Sequence, residues 1–187
     1  MGSYFQTIVD TDATAEEAEG HAERVVAWLV AEDVVLAERR YSMHGKPVYS
    51  PGPRWAEMTE EPRRKGADGL AVVTGRTVFF GSLGSDGSPV CPRCSEAAAI
   101  GPWTAAEGAR DPFSEAMDTW YATGAAEVQC PACGRPVALP EWTWEHDRFA
   151  FAYLGFEFWN GARLLPRFTA SFGRVLGHRI RVVAGKI

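Results

Sequence analysis

The chain has 187 residues, a formal net charge of −5 and 46% hydrophobic residues. A chain of this length can bury the core of one domain, and because it contains no run of about 18 apolar residues, we expect no membrane-spanning helix. The acidic balance argues against a general nucleic-acid binder, although residues 158–187 include six basic residues and no acidic one. Residues 1–30 lack a basic region followed by an apolar one, so we expect a cytoplasmic protein.

The N-terminal segment predicts a strand followed by a helix. Residues 4–9 have the composition of a strand, and Thr14 and Glu17 form the pattern of a capping box. The apolar residues that follow recur at helical spacing on one face: Ala18, Ala22, Val25, Val26, Leu29 and Val30. Residues 41–69 are rich in glycine, proline and charge, and we interpret them as a long connection.

The next segment predicts short strands and a loop. Residues 69–74 and 76–80, joined around Gly75, have the pattern of a hairpin or of two short strands. The glycines and serines of 81–89 lack the lysine of a phosphate-binding loop, so we interpret this segment as a solvated loop.

The most informative feature of the sequence is a pair of Cys-x-x-Cys segments that uses all four cysteines. They provide the number and type of ligands of a closed tetrahedral Zn²⁺ site: Cys91, Cys94, Cys130 and Cys133. Gly134 follows the second pair and can adopt the positive φ of a tight turn, whereas Ser95 stands at the equivalent position of the first pair. Because four thiolates leave no coordination position for water or substrate, we predict a structural zinc centre.

The segments CPRC (91–94) and CPACG (130–134) resemble the metal-binding knuckles of the zinc-ribbon and rubredoxin-type family. The resemblance covers these two segments only and implies a structural metal site. It departs from a compact ribbon, because 35 residues separate Cys94 from Cys130, against roughly 15 to 20 in the usual spacing.

The interval between the two pairs contains a predicted helix. In Pro112–Thr123 the apolar residues fall at helical spacing, with Asp111 placed as the N-cap and proline at the first helical position. We therefore predict a zinc-ribbon-like module over 88–140, interrupted by this helix and inserted in a single domain that spans 1–187.

Four cysteines in two pairs also suit three other uses. Two disulfides would need an oxidising compartment, which the absence of a signal sequence disfavours. A thioredoxin-like redox pair lies beside the start of a βαβ unit, whereas both pairs here lie late in the chain in loop-like sequence. Iron of the rubredoxin type uses the same four thiolates, and spacing does not separate it from zinc, which is our prediction.

The C-terminal third predicts a strand, a helix and a strand. Aromatic residues alternate over 148–159 with the period of a strand that has one apolar face: Phe149, Phe151 and Tyr153, continued by Phe156 and Phe158. A helix is expected from Pro166 to Gly177, followed by a half-exposed strand over 178–183. The whole chain therefore predicts an α+β fold, a mainly antiparallel sheet with helices on one face, with a ferredoxin-like arrangement as the first candidate topology.

The leading functional hypothesis is a non-enzymatic bacterial protein whose structural zinc module and aromatic sheet present a surface to a protein partner or to a second copy of the chain. The chain shows no Gly-x-Ser-x-Gly or His-Glu-x-x-His motif. The four histidines do not repeat at metal-ligand spacing: His21, His44, His146 and His178. We therefore assign no catalytic residue.

Two alternatives stay open. The first is a small-molecule enzyme or binder whose aromatic pocket is formed by Trp142, Trp144, Glu145 and His146, since an imidazole between carboxylates suits acid–base chemistry. The second is a zinc ribbon that contacts nucleic acid through basic side chains: Arg63, Arg64, Lys65, Arg93 and Arg135. Neighbouring acids and the acidic chain disfavour the second alternative.

The whole chain also resembles uncharacterised actinobacterial proteins in two segments, GFEFWN (155–160) and GHRIRVVAGKI (177–187). Only three of the 19 basic residues are lysine, which is typical of a high-GC bacterial gene. The resemblance implies no activity.

Overall fold

The computed structural model describes residues 3–42, 45–61, 66–81, 87–99 and 111–186. The longer elements, in chain order, are β1 (Tyr4–Asp10), α1 (Ala18–Ala31), β2 (Val35–Tyr41), β3 (Pro47–Pro51), β4 (Gly69–Phe80), α2 (Pro112–Thr123), β9 (Phe149–Trp159), α3 (Pro166–Leu176) and β10 (Ile180–Lys186). Four short strands lie around α2: β5 (Pro89–Val90), β6 (Glu127–Gln129), β7 (Pro136–Ala138) and β8 (Thr143–Trp144). Short 3-10 turns cover Trp55–Met58, Leu139–Glu141 and Glu145–Asp147.

Six strands form one sheet in the order β10-β1-β9-β4-β3-β2, and every neighbouring pair is antiparallel. The α+β class and the mainly antiparallel sheet are therefore as predicted. The elements β1, α1, β4, β9, α3 and β10, with the strand order β10-β1-β9-β4, have the connectivity of a ferredoxin-like split βαβ unit. The β2–β3 hairpin extends this sheet beyond β4, and β5 to β8 with α2 are inserted between β4 and β9.

Both long helices cover the same face of the sheet. Their apolar stripes meet strand residues in one buried cluster, which includes Val25, Leu29, Phe168 and Phe172 from the helices and Ile8, Leu70, Leu154, Phe156 and Phe158 from the strands. Phe172 contacts Phe156 edge to face, with ring centroids 4.8 Å apart. The predicted stripe on α1 is confirmed, as are the capping-box bonds between Thr14 and Glu17.

A second buried cluster joins the inserted elements to the sheet. Its members are Cys91, Ala98, Phe113, Ala116, Met117, Trp120, Val128, Cys130, Val137, Leu139, Trp142, Trp144, Phe149 and Phe151. Phe149 and Phe151 belong to β9, so the central strand contributes to both cores. Trp142 and Trp144 lie beyond residue 140, where the predicted module ends.

The structure differs from the sequence prediction at three places. The predicted connection over 41–69 contains β3, and β2 was not predicted. Residues 69–80 form one strand rather than two, with a bulge between Thr74 and Thr77 where its pairing with β9 shifts; Gly75 lies in the bulge at a φ of 95°.

Strand β9 is buried on both faces rather than one. Its four phenylalanines enter the two large clusters, while Ala150 and Ala152 pack with Val9, Phe79 and Val183 on the opposite side. The side chains that cover this second face come from the neighbouring strands β1 and β4 and from β10. In the part of the chain that the structure describes, no helix is both long and apolar enough to cross a bilayer.

Candidate metal centre

The first cysteine pair lies in a tight turn, the first knuckle (91–96). The N–H of Cys91 donates to the carbonyl of Glu96 at 3.0 Å, and the N–H of Ser95 donates to the carbonyl of Cys91 at 2.9 Å. The N–H of Arg93 points at the Cys91 sulfur, 3.4 Å away. Ser95 adopts a φ of 62°, so this turn takes the left-handed conformation without a glycine.

The second cysteine pair repeats this backbone pattern in the second knuckle (130–135). The N–H of Cys130 donates to the carbonyl of Arg135 at 2.9 Å, and the N–H of Gly134 donates to the carbonyl of Cys130 at 2.8 Å. Gly134 has a φ of 70°. The short strands β6 and β7 pair antiparallel on either side of this turn, which fixes the direction of its two sulfurs.

The two knuckles bring all four sulfurs together. The sulfurs cluster within 3.6–4.0 Å, and Cys94 Sγ lies 3.8 Å from Cys130 Sγ. A tetrahedron with metal–sulfur bonds of about 2.3 Å has sulfur–sulfur edges of about 3.8 Å. The four cysteines are free, and this separation is far longer than the roughly 2.05 Å of a disulfide bond. The spacing therefore suits a tetrahedral metal ion and not a pair of disulfides.

The pKa values of two of the sulfurs are shifted in opposite directions. The N–H of Cys133 donates to the sulfur of Cys130 and lowers its pKa to about 7. For Cys94 the N–H of Glu96 acts in the same direction, but burial and the three neighbouring sulfurs outweigh it and raise the pKa to about 12. Four adjacent thiols thus resist losing all their protons together, and a divalent ion removes this conflict by binding the thiolates.

The four-cysteine cluster lies between the second buried cluster and solvent. Cys91 and Cys130 are buried in the second cluster, whereas Cys133 lies on the exposed side. An exposed ion pair between Arg93 and Glu141, 3.0 Å apart, links the first knuckle to the chain after β7. The donor set and spacing fit a metal that prefers four thiolates, which zinc and rubredoxin-type iron both do.

The proposed aromatic pocket is not assembled as a cleft. The indoles of Trp142 and Trp144 are core side chains that pack edge to face against Phe113. Glu145 and His146 are exposed in the turn that follows, where Glu145 accepts a hydrogen bond from the N–H of Ser88 and His146 has a φ of 58°. Buried indoles and exposed acid–base groups therefore do not share one concave site.

The basic residues of the nucleic-acid alternative are only partly described. Arg93 is held by Glu141, and Arg135 is exposed at the end of the second knuckle. Arg63, Arg64 and Lys65 lie outside the described residues, as does His44.

A cluster that the sequence did not predict joins Asp10, His21 and His178. The imidazole of His178 lies 2.9 Å from the Asp10 carboxylate, and its ring centroid is 4.5 Å from that of His21. The pairing of β1 with β10 places Asp10 opposite Ile180 and beside His178. A ferredoxin-like strand order places the end of the first strand next to the start of the last. That order, the first candidate topology, is therefore the feature of the sequence that could have indicated a contact between Asp10 and His178.

None of the family models, curated proteins or solved structures with which the chain was compared matches it. The similarity of CPRC and CPACG to zinc-ribbon knuckles therefore stays a resemblance of those two segments. The assignment of a metal centre rests on the four sulfurs and the backbone around them.

Proposed function

We propose that this chain is a non-enzymatic protein that holds a structural Zn²⁺ at the four-cysteine centre and acts by binding a protein partner or a second copy of itself. The observation that carries the metal assignment is the clustering of four free sulfurs within 3.6–4.0 Å. Zinc is preferred because it takes four thiolates in a tetrahedron without redox chemistry. A centre saturated by protein ligands supplies no site for a substrate.

The ion would stabilise elements that are too short to persist alone. Strands β5 to β8 have two or three residues each, below the length at which isolated hairpins are stable. Binding the two knuckles to one ion would fix the β6–β7 hairpin, the pairing of β5 with β8 and the cluster that Phe113 and Trp120 form on β9. Structural zinc contributes on the order of 10 kcal/mol to folding in zinc-finger peptides.

Two large apolar side chains near the inserted elements are exposed and are candidates for a contact with a partner. Tyr121 on α2 is 63% exposed, and Phe80, where β4 ends before the insertion, is 51% exposed. At the far edge of the sheet, Leu36 and Tyr41 on β2 are also exposed. Large apolar side chains on a surface are typical of binding sites when they lie together.

The presence of zinc is tested by measuring the mass of the intact chain with its bound metal. We expect about one thiolate-bound zinc per chain in protein purified without added metal, detected by native mass spectrometry and removed by acid. A metal-free chain that carries two intact disulfides contradicts the proposal.

The interaction role is tested by light scattering and by capture from a bacterial lysate. A monomer that captures no partner and turns over a substrate would overturn it.

A further inference from the structure

Three potential metal ligands converge outside the four-cysteine centre. Asp10 is the last residue of β1, His21 lies in α1, and His178 follows Gly177, which ends α3. One carboxylate oxygen and one ring nitrogen from each histidine all lie within 4.8 Å of one another.

The fold holds two of these side chains in place through the backbone. Gly177 closes α3 with a φ of 75° and turns the chain toward β10. The N–H of Thr11 donates to the carbonyl of Arg179 at 3.1 Å, which fixes the two chain segments side by side. The sheet and the helix end therefore place His178 against Asp10.

The Asp10 carboxylate is fully buried, and its two oxygens have different hydrogen-bond partners. Oδ1 accepts hydrogen bonds at 3.0 Å from the N–H groups of Asp12 and Ala13. Nδ1 of His178 lies 2.9 Å from Oδ2 and 3.1 Å from Oδ1, and among the described residues it is the only partner of Oδ2. Two ligands of one ion with bonds of about 2.0–2.1 Å lie roughly 3.0–3.4 Å apart, close to this spacing.

The neighbouring charges partly oppose and partly permit a cation. Asp12 is occupied by Arg179, whose guanidinium donates to both carboxylate oxygens of Asp12. Arg24 is the opposing group, because its guanidinium contacts Nδ1 of His21 and also donates to the carbonyl of Leu176. His21 can offer Nδ1 to a metal only if the Arg24 guanidinium moves away from the imidazole. Arg24 can do so while it still donates to the carbonyl of Leu176.

We propose that Asp10, His21 and His178 bind a divalent transition-metal ion, with Zn²⁺ as the first candidate, in a second metal site. Two imidazoles and one carboxylate are a ligand set that zinc uses in proteins. Three protein ligands leave a fourth position for water or for a small anionic ligand, in contrast to the closed four-cysteine centre. The second ion is therefore exchangeable, and its site does not depend on the function proposed above.

The test uses the full chain with its four-cysteine centre loaded and titrates further Zn²⁺ by calorimetry, with bound metal counted after gel filtration. We expect the wild-type chain to bind a second equivalent of Zn²⁺. Either His21→Gln or His178→Gln should lower the affinity for this second ion roughly tenfold or more. Asp12→Asn is the matched control, since it breaks the neighbouring ion pair and leaves the three ligands, and it should retain the second equivalent. Arg24→Gln should tighten the binding by removing the opposing cation.

Titration with Co²⁺ separates the two sites. Binding to thiolates gives sulfur-to-metal charge-transfer bands, whereas the second equivalent should bind without adding to them. If Co²⁺ binds at the second site but no sulfur-to-metal charge-transfer bands form, the four-cysteine proposal is contradicted and the second site is not. The second site is overturned if the loaded wild-type chain binds no further metal, or if the His21→Gln, His178→Gln double variant still binds it with unchanged affinity while circular dichroism shows an intact fold.

Discussion

Ser95 and Gly134 occupy equivalent positions in the two knuckles, and both adopt the left-handed backbone conformation, with φ of 62° and 70°. Each donates its N–H to the carbonyl of the first cysteine of its pair, four residues earlier. The two turns thus share one geometry although only one of them has glycine. Because the geometry is the same, the presence of a Cβ in Ser95 and its absence in Gly134 set the difference in cost between the two turns.

Gly134→Ala should destabilise the metal-bound fold by about 1 kcal/mol, because a residue with Cβ is strained at positive φ. A Cβ at this position would meet no atom within 4 Å, so the strain is confined to the backbone. Chemical denaturation of the zinc-loaded protein measures the effect. Gly20→Ala is the matched control: it also has open space, but it lies in α1 at an ordinary φ and should stabilise by about 0.5–1 kcal/mol. Equal effects of the two substitutions would contradict this account.

Asp111→Ala should weaken α2 and the second buried cluster. The Asp111 carboxylate accepts hydrogen bonds from the N–H groups of Phe113 and Ser114, which have no partner within the helix. Loss of an N-cap costs about 1 kcal/mol, and thermal unfolding should show it. Asp111→Asn retains the acceptor and should leave stability nearly unchanged; a large loss with asparagine would mean that charge rather than capping is decisive.

Cys130→Ser should unfold the predicted module, 88–140, while the six-stranded sheet persists. The sheet has its own core beneath α1 and α3, whereas we propose that the short strands depend on the metal. Hydrogen exchange should rise over 88–140 and the adjoining Trp142 and Trp144, and stay low over β1 and β10. Removing zinc from the wild type with a chelator should give the same pattern. A uniform rise across the chain would show that the centre is integral to the main core.

The chain should show no tight, salt-sensitive binding to DNA or RNA near physiological salt. Its net charge is −5, and the basic side chains described at the C-terminal end are partly paired, as Arg179 is with Asp12. Fluorescence anisotropy with labelled oligonucleotides measures this. Submicromolar affinity that falls steeply with salt and is lost on neutralising Arg174, Arg179 and Arg181 would favour the nucleic-acid alternative.

His146→Ala should leave every measured property close to that of the wild type, because the side chain is exposed at a turn and shares no cleft with Trp142 or Trp144. A panel of hydrolase and transferase substrates should give no turnover with either protein. Turnover by the wild type that His146→Ala abolishes, with the fold intact, would favour an enzyme.

Features with local causes could be predicted from the sequence. The helix α2 begins and ends where its N-cap Asp111, its first proline and Gly124 place it. The pairing of the cysteines is equally local, because each knuckle brings two of them into one turn; that they bind a metal stays a prediction. Strand β3 was not predicted, since Pro47 and Pro51 suggest a broken segment; both lie at its ends, where a missing N–H is tolerated.

Features with distant causes could not be predicted in the same way. Asp10 and His178 are 168 residues apart in sequence, and only the pairing of the first and last strands brings them together. The buried state of Trp142 and Trp144 likewise depends on α2 packing over them through Phe113. Periodicity specifies which face of an element is apolar, but it does not specify what covers that face.

X-ray absorption at the zinc edge of the protein purified without added metal tests the central claim most directly. The account predicts a shell of about four sulfur atoms at about 2.3 Å from zinc. Protein without bound zinc, or zinc surrounded only by nitrogen and oxygen, would contradict it.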